Sequence, residues 1–257
     1  MKAFLLFCAM LVSAADLHAV EVKEEAIVHA GTRFRVVKLE PAALQVVWKD
    51  EKGVPYRTFD KVQARFAREK KTVKFIANAG IFEMGGTPCG LHVENGKLLH
   101  PLNTREAAGN FYLKPTAVFS AGSVFTHEKQ SASITETGIK AAREKRMEFQ
   151  GGWMRTARLE VQSGPALLLE GRRHPAFKEG SENKLVRNGV GIDDKGRVVF
   201  AITAPGQVVN FWDFAGLFLK LGCKDALFLD GDISQMAVNP TAPIESNSFG
   251  AMFVVAE

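Results

Sequence analysis

Residues 210–234 read NFWDFAGLFLKLGCKDALFLDGDIS, and this stretch decides the fold. Asn210 is a good N-cap, because its side-chain oxygen can accept from the orphan amides that open a helix. Phe214, Leu217, Phe218 and Leu221 then recur at helical spacing as one apolar stripe, and Gly222 offers the left-handed stop. A helix over Phe211–Leu221 is predicted. Ala226–Leu229 is wholly apolar, too short for a second helix, and ends at Asp230-Gly231-Asp232, so it reads as a fully buried strand.

Upstream of this unit, Gly189–Asp193 and Arg197–Thr203 read as a hairpin around Asp194-Lys195-Gly196; downstream, Ser248–Val255 reads as a terminal strand. Toward the amino end, Arg33–Leu39 and Leu44–Trp48 read as neighbouring strands separated by Glu40-Pro41-Ala42. Thr58–Lys70 changes to helical period, with Phe59, Val62 and Phe66 on one face, and a strand Val73–Ala77 follows. Periodicity then stops in a glycine-rich loop, Asn78–Gly90. Leu91–Val93 and Lys97–Leu99 flank Asn95-Gly96, two residues that favour positive φ, which is a hairpin signal. In the middle, Thr116–Ser120 and Ser123–Thr126 read as strands around Ala121-Gly122, and Ile139–Lys145 as a short helix. Strands outnumber helices without a regular β-α-β alternation. The expected class is therefore α+β, a single domain with a mixed β-sheet core flanked by a few helices.

The 257 residues are 46% hydrophobic, 24% charged and 9% aromatic, which excludes disorder, collagen-like repeats and a coiled coil. Lys and Arg number 33 against 28 Asp and Glu, a net charge of +5, but the basic residues are scattered. Their densest cluster, Arg65, Arg68, Lys70, Lys71 and Lys74, falls at a helix end as a solvated face, so no nucleic-acid partner is expected.

Met1-Lys2 followed by the apolar run Ala3–Val12, too short to span a bilayer, reads as a signal peptide. Small residues near a cleavage point occur at Ser13-Ala14-Ala15 and Leu17-His18-Ala19. The expected organisation is a leader over residues 1–19 and one domain over 20–257, with the mature chain periplasmic or secreted and lacking a transmembrane segment. Cys8 leaves with the leader. Cys89 and Cys223 remain, and an oxidising compartment permits either a bridge or two free thiols.

Asp230 is the strongest local candidate for chemistry. A carboxylate at the end of a buried strand is held by a rigid element, and partial burial raises its pKa toward an acid–base range; the plainer reading is an aspartate capping its own turn. Asn78 and Glu83 form a second polar group in the glycine-rich loop. Arg187-Asn188-Gly189 forms a third, and a guanidinium there suits either a phosphate grip or an ordinary ion pair. The six histidines, His18, His29, His92, His100, His127 and His174, show no metal-ligand spacing. No serine-nucleophile elbow, phosphate loop or dinucleotide fingerprint is present.

Several short motifs occur in a fixed order: Asn78-Ala79-Gly80-Ile81-Phe82, Gly90 with Glu94-Asn95-Gly96, Ser163-Gly164-Pro165, Arg187-Asn188-Gly189-Val190-Gly191, and Ala226–Gly231. Together they resemble the phosphodiester glycosidase family. Pro101–Thr104, Gly109-Asn110-Phe111, Val209-Asn210-Phe211 and Leu229–Ser234 resemble its bacterial exported subgroup. The resemblance implies an exported hydrolase acting on a sugar–phosphodiester bond, with Asp230 as the acid/base or stabilising carboxylate, Arg187 as the phosphate grip and Asn78 beside them. It also implies substrate contacts from Gly80, Glu83, Asn110, Ser163, Gly164, Asn188, Gly231 and Ser234, and a glycan or sugar-phosphate substrate. It places Cys89 and Cys223 beside the same site.

Two departures from the family pattern bear on the substrate. Asp232 and Ile233 stand where many members carry glycines, and Ala79 replaces the more usual glycine. A non-catalytic module binding envelope glycans or anionic polymers is the alternative that Asp232 and Ile233 favour. No cofactor is indicated, and a divalent cation near Asp230, Asp232 and Glu83 stays open, since spacing along the chain does not show whether the three converge.

Overall fold

Val198–Thr203 is buried at every position, which places this strand between two layers of apolar side chains. Val198, Phe200 and Ile202 join one core; Val199 and Ala201 join another. The computed structural model describes residues 22–125, 128–149 and 157–257; the leader read over residues 1–19 lies outside them. The central sheet has seven strands in the order Glu24–His29, Thr32–Leu39, Val198–Thr203, Asn188–Ile192, Asp225–Asp230, Ala166–Leu169 and Arg172–Arg173. Every strand pairing among the described residues is antiparallel.

Three helices are described: α1 (Phe59–Arg68), α2 (Thr137–Phe149) and α3 (Phe211–Lys220). On one face of the central sheet lies α3, begun as expected by Asn210, whose side-chain oxygen accepts from the Asp213 amide at 2.8 Å. Its stripe of Phe214, Leu217 and Phe218 is fully buried, and each of these side chains contributes roughly 1.5–3 kcal/mol by leaving water. The helix approaches the sheet closely because the strand beneath it carries glycine. A Cβ on Gly191 would lie 2.7 Å from the Phe218 ring and 2.9 Å from the Cys223 sulfur.

Against the opposite face stand two further sheets. One joins Met236–Val238, Val73–Asn78, Met252–Ala256 and Gln45–Val47; the other joins Ala132–Glu136, Ala117–Ser123, Ala157–Ser163, His92–Glu94 and Lys97–His100. Aromatic rings tie the three sheets together. Phe200 meets Phe75 at 4.9 Å and Phe253 at 5.1 Å between centroids, and Phe253 meets Phe119 at 5.6 Å. Helix α1 covers the outer face of the four-stranded sheet with Phe59, Val62 and Phe66. The fold is α+β in one domain, and no helix among the described residues is long and apolar enough to cross a membrane.

Three local expectations are corrected. Thr32–Leu39 and Gln45–Val47 are not neighbours: the first pairs with Val198–Thr203, the second with Met252–Val254. The turn at Glu40–Ala43 carries the chain from one sheet to another, where each strand finds a longer-range apolar partner. Ala121-Gly122 does not reverse the chain. Ala117–Ser123 is one strand, in which Gly122 takes φ +68° while Ala121 keeps Ala132 and Leu159 as partners and Ser123 keeps Ala157. The glycine-rich loop, finally, contains a small hairpin, Phe82–Glu83 with Thr87–Pro88.

Candidate functional site

Four strand ends meet at one rim of the sandwich. Val73–Asn78 ends at Asn78, Ala157–Ser163 at Ser163 and Asp225–Asp230 at Asp230, while Asn188–Ile192 begins at Asn188. Asn188 stands opposite Asp230 and Gly189 opposite Phe228, so Leu229 has no partner of its own and the strand bulges where it delivers the carboxylate.

Buried amides lock this rim. The Asn188 side-chain nitrogen donates to the Asn78 carbonyl at 3.2 Å and to Asn78 Oδ1 at 3.1 Å; the same oxygen accepts from the Gln235 amide at 3.0 Å. Asn78 in turn donates to Ser234 Oγ at 3.2 Å. The Ser163 hydroxyl donates to the Leu229 carbonyl at 3.1 Å and accepts from the Ile81 amide at 3.4 Å, which fastens the start of the glycine-rich loop to the strand that carries Asp230. Gly80 and Gly164 are required by closeness: a Cβ would stand 2.8 Å from the Gln162 carbonyl oxygen in the first case and 2.7 Å from that of Phe111 in the second. The Gly231 amide donates to Asp230 Oδ1 at 2.8 Å, and the Gly231 carbonyl accepts from the Ser234 amide at 2.8 Å.

Burial pushes the Asp230 carboxyl up to about 6; the Gly231 amide opposes this and the Asp232 carboxylate adds to it. Arg187 is 1% exposed. Its Nε donates to the Val209 carbonyl at 2.9 Å, its Nη2 to the Asn183 carbonyl at 3.2 Å, and its guanidinium carbon lies 3.5 Å from the Phe211 ring centroid. Its Nη1 is buried and has no partner among the described residues. Burial lowers the Arg187 pKa to about 10, against the pull of Asp232, so the group stays charged at neutral pH. Asp232 thus acts electrostatically on both Asp230 and Arg187.

The structure therefore brings Asn78, Gly80, Ser163, Gly164, Asn188, Asp230, Gly231 and Ser234 to one rim, with Arg187 adjacent in the chain to Asn188. Two expected residues stand further out. Glu83 is exposed on its hairpin and pairs loosely with Arg105 at 3.7 Å. Asn110 opens a one-turn helix, Asn110–Tyr112, and lines a separate cleft with Phe211 and Asn183. Among the described residues, Asp230, Asp232 and Glu83 do not converge into a group of three that would hold a metal ion.

The two thiols are separate and free. Cys89 feels the charges of Glu83 and Asp230, at the end of the strand Asp225–Asp230; Cys223 lies two residues before its start and feels Asp193 and Asp225. A strand of this length spans on the order of 17 Å, so the expectation that both thiols adjoin one site is corrected. Phe211 and Gln235 join the site with little signal in the sequence: the first is an apolar residue at the start of a helix, and the second carries no pattern at all.

Residues 71–254 match the phosphodiester glycosidase family model. The uncharacterized protein YigE of Escherichia coli K12 is 31% identical over 195 residues, 75% of this chain and 68% of that one. Among solved structures, the catalytic domain of zebrafish N-acetylglucosamine-1-phosphodiester α-N-acetylglucosaminidase, auto-inhibited by its pro-peptide, superposes with a TM-score of 0.60 at 13% identity, covering 91% of this chain and 82% of that one. A hypothetical protein from Synechocystis gives 0.53 at 12% identity, over 91% of this chain and 61% of the other.

Proposed function

Because the chain belongs to the phosphodiester glycosidase family, we propose that it is an exported hydrolase that cleaves the bond between a sugar anomeric carbon and a phosphodiester oxygen. The observation that carries this reading is Arg187. A guanidinium buried with no carboxylate against it, and with one nitrogen unpartnered, is costly unless an anion completes it. A phosphodiester oxygen is such an anion, and the planar fork suits it.

The chemistry draws on Asp230 at the rim and on Arg187, next in the chain to Asn188. As the glycosidic bond lengthens, positive charge grows on the sugar and negative charge on the departing phosphate. Arg187 stabilises the second. The departing phosphate monoester is weakly basic, so strong protonation of the leaving oxygen is unnecessary, and Asp230 is free to stabilise the cation or to take a proton from the attacking water. A pKa of about 6 lets Asp230 hold or release a proton near neutrality. Asn78, Asn188 and Ser163 act by holding the strand ends in register.

Asp232 favours a second reading, a glycan-binding module without turnover, because its carboxylate occupies the field of Arg187. Purified protein assayed on a chromogenic sugar phosphodiester separates the two. Turnover that is lost in Asp230→Ala and kept in Asp232→Ala supports the hydrolase; tight glycan binding with no turnover supports the module.

A further inference from the structure

Arg57, in the loop between the strand Gln45–Val47 and α1, takes φ +67°, a backbone conformation that a non-glycine residue seldom adopts. Its surroundings hold it there. The Arg57 carbonyl accepts from the Phe249 amide at 2.7 Å, and the Tyr56 amide donates to the Trp48 carbonyl at 2.9 Å, so Trp48 and Arg57 leave the two ends of one closed loop. Both side chains run to the hairpin of Phe82–Glu83 with Thr87–Pro88.

Trp48 Nε1 donates to the Gly86 carbonyl at 2.8 Å in a buried hydrogen bond. The Arg57 guanidinium lies against Gly86 itself: a Cβ on Gly86 would overlap Nη1 and stand 2.8 Å from Cζ, and Gly86 takes φ +83°. The same guanidinium carbon lies 5.3 Å from the Phe82 ring centroid, within cation–π range. From another side Gly250 admits Phe82, since a Cβ there would stand 2.7 Å from Phe82 Cβ. Met84, at the tip, is fully exposed. Arg57 Nη1 is buried and has no hydrogen-bond partner among the described residues, so the guanidinium packs the hairpin at the expense of a donor. An unusual backbone angle and an unused buried donor persist together where the surrounding structure fixes a position that matters.

The base of the hairpin reaches the rim. Ile81, just before it, donates its amide to Ser163 Oγ at 3.4 Å, and Cys89, just after it, donates to the Ile81 carbonyl at 3.0 Å and lies in the field of Glu83 and Asp230. We infer that Arg57 is a positioning residue: with Trp48 it braces the glycine-rich hairpin beside the rim, so that a substrate meets an ordered loop there. Its role in binding rests on the hydrolase reading. Arg57 itself is placed against the hairpin and not against the reacting atoms.

The test combines amide hydrogen exchange of residues 82–89 with steady-state kinetics on a chromogenic sugar phosphodiester, in the full exported chain and in Arg57→Ala, Gly86→Ala and the double variant. Arg57→Ala is expected to speed exchange in the hairpin about tenfold while the buried strand Val198–Thr203 keeps its protection, as a local opening does. KM should rise about fivefold with kcat nearly unchanged, the signature of lost binding and not of lost chemistry. Gly86→Ala should act in the same way because its methyl displaces the guanidinium, and the double variant should be little worse than either single one. Unchanged exchange in the hairpin, faster exchange in hairpin and strand alike, multiplied effects in the double variant, or a fall in kcat at constant KM would overturn the assignment. Absence of turnover in the wild type would refute the hydrolase reading, and exchange alone then decides whether Arg57 positions the hairpin.

Discussion

The guanidinium of Arg187 is held 3.5 Å from the ring of Phe211, the first residue of α3, and not against a carboxylate. The aromatic face and two backbone carbonyls orient the charge, and its buried Nη1 has no partner among the described residues.

Arg187→Lys keeps the charge and loses both the fork and the stack. Catalytic efficiency on a sugar phosphodiester is expected to fall about tenfold to a hundredfold, and stability by about 2 kcal/mol through the contacts to Val209 and Asn183. Melting with and without inorganic phosphate separates grip from scaffold: phosphate should raise the wild-type Tm and leave the variant's unmoved. An equal rise in both would make Arg187 a scaffold residue only.

Asp230 links stability to pH. Its carboxyl titrates near 3.9 in the unfolded chain and at about 6 in the folded one, so between those values the unfolded state releases its proton first and the folded state loses stability, by about 3 kcal/mol in all. The loss is complete once pH passes 6. Asp230→Asn escapes it, so the Tm of the variant relative to wild type should rise from pH 4 to pH 6 and then level off. A difference that stays constant over this range would mean that the carboxyl is unperturbed.

Asn78→Ala strands the Gln235 amide and takes one of two acceptors from the Asn188 side-chain nitrogen, which keeps the Asn78 main-chain carbonyl, whereas Ser234→Ala removes only an acceptor. A buried group left unpaired costs about 1–3 kcal/mol, so Asn78→Ala should lower stability by about 2–3 kcal/mol and Ser234→Ala by about 1. Urea unfolding of the two variants checks the order; the reverse order would remove Asn78 from the centre of the network.

Both cysteines are buried, which pushes Cys89 up to about 11 and Cys223 up to about 12, so neither is a thiolate at neutral pH. Alkylation of native protein at pH 8 should be slow at both, and denaturation without reductant should make both titratable. Finding none would establish a bridge that the fold does not contain.

How much of this was legible beforehand differs by element. The helix at Phe211 was readable because its cap, stripe and stop are local and agree with one another. The same holds for the hairpin at Asn95-Gly96, where both residues adopt positive φ. Asp230 stood out because a buried strand ending in a carboxylate and a glycine is a local pattern. Strand partners beyond the tight hairpins were not legible: Arg33–Leu39 and Leu44–Trp48 are adjacent in the chain but belong to different sheets, since side chains distant in sequence decide the pairing.

The sequence by itself therefore determined the elements, the class and the residue types available for chemistry, because each depends on interactions within a few residues. Only the tertiary structure decided that Asn188 holds Asn78, 110 positions away, and that Phe211 carries Arg187. It also decided that Cys89 and Cys223 fall at opposite ends of one strand. These are packing outcomes. Burial removes water as an alternative partner, and a buried amide or guanidinium must then take whichever neighbour the closed fold presents.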